Sequence, residues 1–287
     1  HTGPFGNIAH GCSSVVADRL ALGYADYVVT EAGFGADLGF EKFMHIKARF
    51  NDLEPDIAVM VATIKALKSH GGVKLKDLDK PNETALRKGM ANLEHLIDVV
   101  RSFGLPVIVA INRFPTDTEN EISIVKKGSE EAGAYSAIES RVFAEGGKGG
   151  EELAMAVTEA SDKNNSSVTY LYPENASIEE KVGTLATKIY GARDVKWSPS
   201  AIRLLKTYKD LGWNNLPVCM AKTHLSLSHN PRLKARPTDY TFEISDVRAS
   251  LGAGFIYPIA GSMMTLPGLP SSPRALDVDQ TGNILHL

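Results

Sequence analysis

The residues best suited to chemistry in this 287-residue chain stand where an apolar run stops abruptly, at Asn112-Arg113-Phe114-Pro115-Thr116-Asp117. The run before them, Val107-Ile108-Val109-Ala110-Ile111, has the β-branched character and length of a strand buried on both faces. Ligands of open α/β sheets sit outside the carboxyl ends of strands. An amide, a guanidinium, an aromatic ring and a carboxylate delivered there make a candidate binding edge. The alternative is an ordinary strand-to-helix turn with Thr116 or Asp117 as N-cap.

A second segment has the same design. Tyr27-Val28-Val29 leads into Thr30-Glu31-Ala32-Gly33-Phe34-Gly35-Ala36-Asp37-Leu38-Gly39, a glycine-rich turn carrying acids and one ring. Its glycines are one residue out of register with the dinucleotide fingerprint, so they signal a tight turn or a close backbone approach. Glu31, Asp37 and Glu41 have no histidine at ligand spacing and do not read as a metal site. His10, within Asn7-Ile8-Ala9-His10-Gly11, reads as a structural histidine. Lys222 and Thr223 follow the strand-like run Pro217–Ala221 and either line the same edge or end the strand.

The elements that must position these groups alternate. Strands are expected at Asp26–Thr30, Asp56–Val61, Pro106–Ile111 and Val168–Leu171, with helices at Asn82–Phe103 and Gly150–Lys163 between and after them. In the first helix Leu86, Met90, Leu93, Leu96, Ile97 and Val100 form one apolar face. This order predicts an α/β fold with a doubly wound, mostly parallel sheet. After about Asp194 the character changes, and residues 194–287 read as a smaller α+β region following residues 1–193. Ser198 and Pro199 open a helix closed at Leu211-Gly212-Trp213, and Tyr240–Ala249 with Gly254–Ala260 read as a strand pair.

Bulk properties exclude several classes. A hydrophobic content of 43%, charged content of 23% and net charge of −3 are those of a globular protein without an electrostatic case for nucleic acid or anionic membrane. No stretch is apolar and long enough to span a bilayer, and no signal pattern opens the chain. Cys12 and Cys219 read as buried free thiols, which fits a reducing cytoplasm. Beginning at His1 inside a motif, the chain reads as a fragment, a processed chain or one piece of a nicked enzyme.

With Gly3-Pro4-Phe5-Gly6-Asn7-Ile8-Ala9-His10-Gly11, Leu216–Thr223 and Met264-Thr265-Leu266-Pro267-Gly268-Leu269-Pro270, these segments resemble formate–tetrahydrofolate ligases from end to end. Members are about twice this length, and the match is to their C-terminal half. The resemblance implies ATP-dependent ligation. Formate attacks the γ-phosphoryl of ATP, and the formyl phosphate so formed passes its formyl group to N10 of tetrahydrofolate. It also implies a P-loop NTPase-like domain whose phosphate loop lies upstream. Gly146-Gly147-Lys148-Gly149-Gly150 only imitates such a loop, lacking the following Ser or Thr and the spacing.

What the resemblance implies for this half is a pterin site. Phe114 supplies one ring face and Phe143 a second, where the family commonly has Trp. Phe34 and Ile138, the latter one helical turn before Phe143, match pocket positions. Asp37 is either a helix cap or an acceptor for a folate amine. Asn112 and Asp117 either read a purine edge at the nucleotide periphery or bond their own backbone. Arg113 either neutralises phosphate or the folate glutamate tail, or forms a surface ion pair. Ser262 replaces the acid of the family's usual Gly-Asp. ATP enters with Mg²⁺ on its phosphates, and monovalent-cation dependence is open. Partners implied are tetrahydrofolate, formate, ATP, an N-terminal half with the phosphate loop on the same or a separate polypeptide, and a homo-oligomer. Chemistry would rest on proximity and charge stabilisation, since no Ser or Cys has a matched base. Rival readings are a non-catalytic folate-binding or partner-stabilising module and an NTPase-like regulatory protein. A missing half would leave apolar surface exposed and the isolated chain poorly soluble.

Overall fold

Val107–Asn112 forms a strand because five consecutive apolar residues can be buried only where both sheet faces are covered, and all five are buried. The computed structural model describes residues 11–163 and 166–261. Helix α1 (Val15–Leu22) opens the described chain, capped by Ser14. Strand β1 (Ala58–Ala62) leads into α2 (Ile64–His70), capped by Thr63, and then α3 (Glu83–Ser102), capped by Asn82. Strand β2 is Val107–Asn112, α4 is Glu119–Glu131 and β3 is Ser136–Ser140. Strand order is β1-β2-β3, all parallel. Register sets Val107, Val109 and Ile111 toward the cluster built with α2–α4. Period-two alternation turns Ile108, Ala110 and Ile138 to the opposite face.

Two close approaches explain why α2 and α3 pack tightly. A Cβ on Gly71 would stand 1.9 Å from the Ala85 carbonyl oxygen, and one on Gly89 would stand 1.9 Å from that of Leu67. Between them Lys68 and Glu121, both fully buried, pair at 3.1 Å. Glu121 also completes a capping box with Thr118 at the start of α4.

Beyond β3 come the short α5 (Val142–Glu145), then α6 (Glu151–Asp162) and α7 (Ile178–Thr184), the last with a Ser177–Glu180 capping box. The second sheet joins β4 (Asp194–Trp197) in parallel to β5 (Thr241–Ser250), which pairs antiparallel with β6 (Phe255–Ala260). Helix α8 (Pro199–Asp210) starts with the Ser198 cap and Pro199 at its first position, as expected. One cluster of buried side chains includes Val109 and Ile111 from the first sheet and Phe242 and Ile244 from the second.

Four expectations need correction. Asp26–Thr30 is not a strand, and only an isolated bridge, Cys12 to Ala32, forms nearby. Val29 points outward, so the short apolar run has no second face to bury. Val168–Leu171 is extended but bonds the end of α3, Thr169 N–H donating to Phe103 O at 2.9 Å, rather than a sheet. Ile138 does not lie on a helix before Phe143 but inside β3. The N-cap of α4 is Thr118, not Thr116 or Asp117. Among the described residues no helix is long and apolar enough to cross a membrane. Both cysteines are buried and outside any disulfide, and burial raises the Cys12 thiol to about 11. His10, Ser262 and the 264–270 motif lie outside the described residues, as does most of the 3–11 motif.

Candidate functional site

Because β2 and β3 are adjacent and parallel, the turns after them leave the same edge of the sheet. Asn112 is opposite Ser140 in register, and Arg113 N–H donates to Ser140 O at 3.1 Å. Phe114 therefore emerges from the end of β2, and Phe143 emerges three residues beyond the end of β3 on α5.

Phe114 is held by its own turn. Its N–H donates to Asp117 Oδ2 at 2.8 Å, so Asp117 bonds backbone, as one of the two readings had it. Asp117 is buried with Oδ1 unpartnered, and burial raises its carboxyl above the usual range against that backbone hydrogen bond. The Lys65 ammonium lies over the Phe114 ring, 4.6 Å from its centroid, while Lys65 also pairs with Asp79 at 2.6 Å. The ring is 36% exposed. Cation on one side and solvent beside it leave a stacking surface in reach of a flat ligand.

Phe143 is 94% exposed. Its loop is fixed from beneath: Arg141 N–H donates to Gly149 O at 3.0 Å, and a Cβ on Gly149 would meet the Arg141 carbonyl carbon at 2.5 Å. The glycine run thus serves a tight return rather than a phosphate cradle. Arg113 and Arg141 share Glu139: Arg113 Nη1 donates to Oε1 at 2.8 Å, and Arg141 Nε donates to the same oxygen. Arg113 Nη2 also reaches Glu119 at 2.6 Å. Burial works against the Glu139 charge, but the hydrogen bonds from Arg141 and Arg113 win and hold its carboxyl low. Ile138 is buried two residues before the end of β3.

The glycine-rich turn gathers with a different segment. Gly39 stacks backbone on backbone against Gly33, where an added Cβ would stand 1.5 Å from the Gly33 oxygen. Phe34 adopts a left-handed φ of 63°, which for a bulky residue costs on the order of 1–3 kcal/mol. It is 44% exposed and stacks on His224, centroids 5.5 Å apart. Asp37 is buried and pairs through Oδ2 with Lys222 Nζ at 2.6 Å. Burial lowers the Lys222 ammonium below the usual lysine range, and Asp37 pulls it back up.

Sequence reading missed the neighbours of this turn. Residues Ala36–Phe40, Phe43–Ala48 and Leu185–Ile189 are wound as π-helix, a form often found at functional sites. They bury Glu41, Lys42 and His45. His45 Nε2 accepts from Leu171 N–H at 3.2 Å, so Nδ1 carries the proton and donates to Glu41 Oε1 at 2.8 Å. The His45 ring stacks on Tyr172, centroids 4.1 Å apart. No residue-type signal reveals such winding. Lys222 was visible as a charge ending an apolar run and Glu41 as one of three acids. The expectation that no histidine accompanies those acids needs correction, since His45 pairs with Glu41 four residues on. A separate cleft of about 400 Å³, lined by Phe50, Glu174, Asn175, Asn215, Leu216 and Pro217, includes none of the candidate residues.

Comparison with known proteins identifies the family. The formate–tetrahydrofolate ligase family model matches residues 1–287. The chain is 52% identical to the formate–tetrahydrofolate ligase of Desulforamulus reducens over 297 residues, covering 100% of this chain and 52% of that protein. It is 50% identical to that of Roseiflexus castenholzii over 98% of this chain and 52% of the relative. The Herpetosiphon aurantiacus enzyme is also 50% identical, over 100% of this chain and 52% of its own length. The chain belongs to the formate–tetrahydrofolate ligase family. It spans about half the length of the curated relatives it matches.

Proposed function

We propose that the protein carrying this chain ligates formate to tetrahydrofolate at the expense of ATP, and that this chain supplies the folate-binding face. Formate oxygen attacks the γ-phosphorus and ADP departs. N10 of the folate then attacks the formyl carbon of formyl phosphate, loses its proton, and phosphate leaves. No nucleophilic side chain is needed, so the protein acts by holding the two reactants in line.

The observation that carries this reading is the emergence of Phe114 and Phe143 from the carboxyl ends of adjacent parallel strands. A pterin is flat and apolar on its faces and polar on its edges, which suits rings beside the Arg113–Glu139–Arg141 network. Phe34, Asp37 and Ile138 belong to the same assignment, and Asn112, Arg113 and Asp117 form the nucleotide periphery. ATP phosphates fall to a phosphate loop in an N-terminal half, on the same or a separate polypeptide, that completes a P-loop NTPase-like, doubly wound domain with residues 1–193. Residues 194–287 form the smaller region. Among the described residues no three His, Cys, Asp or Glu side chains gather as a metal-ligand set. Mg²⁺ would enter on the nucleotide phosphates. A homo-oligomeric, cytoplasmic enzyme completes the proposal, with monovalent-cation dependence left to measurement.

The test is formate- and tetrahydrofolate-dependent ADP release by the full-length ligase containing this chain, with MgATP present. ADP release that needs both formate and folate supports the reading. ADP release indifferent to folate overturns it.

A further inference from the structure

We propose that Glu139 is a positioning residue for the two rings at the sheet edge. One of its oxygens grips the residue before Phe114 and the residue two before Phe143, which fixes the spacing of the rings. The inference rests on the ligase reading for the ligand of that face, whereas the grip itself rests on geometry alone.

A carboxylate is costly where Glu139 stands. In the β2–β3 register it lies opposite Ile111, on the sheet face that α4 helps to cover, and its side chain is 13% exposed. A charge in that place needs partners, and one guanidinium comes to it from each turn. Oε1 accepts from Arg113 Nη1 at 2.8 Å and from Arg141 Nε. The far ends of both guanidiniums are tied as well. Arg113 Nη2 reaches Glu119 Oε1 at 2.6 Å, and Arg141 Nη1 lies 3.6 Å from Glu145 Oε1. One chain of charge, Glu119–Arg113–Glu139–Arg141–Glu145, thus crosses the carboxyl edge from the first turn of α4 to the end of α5. Glu139 is the link common to both turns.

The backbone passes this grip on to the rings. Arg113 directly precedes Phe114, whose N–H is held by Asp117. Arg141 O accepts from Ala144 N–H at 3.0 Å and from Glu145 N–H at 2.9 Å, so the short helix that carries Phe143 is wound on Arg141. A ring as exposed as that of Phe143 has little packing of its own, and its place follows the backbone beneath it. The last backbone bond between the two turns is Arg113 N–H to Ser140 O. Beyond it the shared carboxylate ties them together through side chains.

The experiment follows hydrogen exchange of the full-length ligase by mass spectrometry, without ligand, in three isosteric variants. Glu139→Gln keeps the shape and removes the charge. It is expected to speed exchange about threefold, the scale of a part-exposed ion pair, in residues 113–118 and 141–149 together, and to leave 107–111 unchanged. Glu119→Gln should move the first stretch alone and Glu145→Gln the second alone. A rise confined to one stretch in Glu139→Gln would overturn the grip. A rise that reaches 107–111 would overturn it too, since Glu139 would then serve general stability. Steady-state kinetics reads the consequence for the ligand. KM for tetrahydrofolate should rise about threefold in Glu139→Gln, with KM for MgATP within twofold. That rise should vanish once Phe114→Leu and Phe143→Leu have removed the rings. A rise that persists without the rings contradicts the positioning role, as does an unchanged folate KM in Glu139→Gln where the ring variants raise it. Exchange that rises in both stretches while the ring variants leave folate KM unchanged supports the grip and sinks the folate face alone.

Discussion

Lys65 lies over the ring of Phe114, its ammonium 4.6 Å from the centroid, and is itself anchored by Asp79. The cation approaches from α2, on the neighbouring strand-to-helix turn, so two adjacent connections meet at this ring. A ring covered on one side by a fixed cation is oriented before any ligand arrives. That saves the ordering cost a free side chain would bring to binding.

Phe143, the proposed second pterin face, is almost wholly exposed. A larger face should stack better on a pterin. Phe143→Trp in the full-length ligase is expected to lower KM for tetrahydrofolate roughly threefold, within the ~0.5–1.5 kcal/mol range of aromatic pairs, with KM for MgATP unchanged. Steady-state kinetics with each substrate varied in turn measures it.

Lys68 and Glu121 pair without exposure, and Lys68 also donates to Lys80 O at 3.0 Å. Removing one charge strands the other. Lys68→Met should cost about 3–5 kcal/mol of unfolding free energy. Adding Glu121→Gln neutralises the stranded charge and keeps a residue that can complete the capping box, so the double variant should recover more than half. Urea unfolding of the three proteins checks both numbers.

Asp117 has its carboxyl raised by burial. With the folded pKa above the unfolded one, its favourable contribution is full below the unfolded value near 3.8 and is lost as pH rises through the folded value. Asp117→Asn keeps an oxygen acceptor for the Phe114 N–H and does not titrate. The melting temperature of the variant minus that of the wild type should therefore increase from pH 4 to pH 7. A difference that stays flat or falls contradicts the assignment.

Several elements were legible because local pattern and burial agree. The Val107–Ile111 run, the apolar face of α3, the Ser198-Pro199 start of α8 and the β5–β6 pair each carry their own signal. β3 does not: only Ala137 and Ile138 are apolar, and the strand is imposed by pairing with β2. Asp26–Thr30 shows the reverse error, an apolar run that finds no sheet. Lys74 and Lys76 are exposed, as their sequence suggests, but Lys42, Lys68, Lys181 and Lys222 are buried. The sequence shows a lysine, not the carboxylate or carbonyls that the fold brings to it. For the candidate site, the Phe114 turn was readable as a strand end, whereas Lys65, Glu139 and His224 reach their positions only through tertiary structure.

Two glycines, one from each glycine-rich segment, make a sharper test of close packing. Gly39→Ala would place a Cβ 1.5 Å from a backbone oxygen, whereas Gly147→Ala meets nothing within 4 Å. Gly39→Ala should destabilise by ~1–3 kcal/mol or more, and Gly147→Ala by a few tenths at most. Thermal melts of both variants distinguish them.

The most direct test of the folate-binding assignment is the kinetic response of the full-length ligase to Phe114→Ala. Loss of one stacking face, worth ~1–3 kcal/mol, should raise KM for tetrahydrofolate about tenfold or more while KM for MgATP stays within twofold. An unchanged folate KM, or a rise confined to MgATP, would contradict the account.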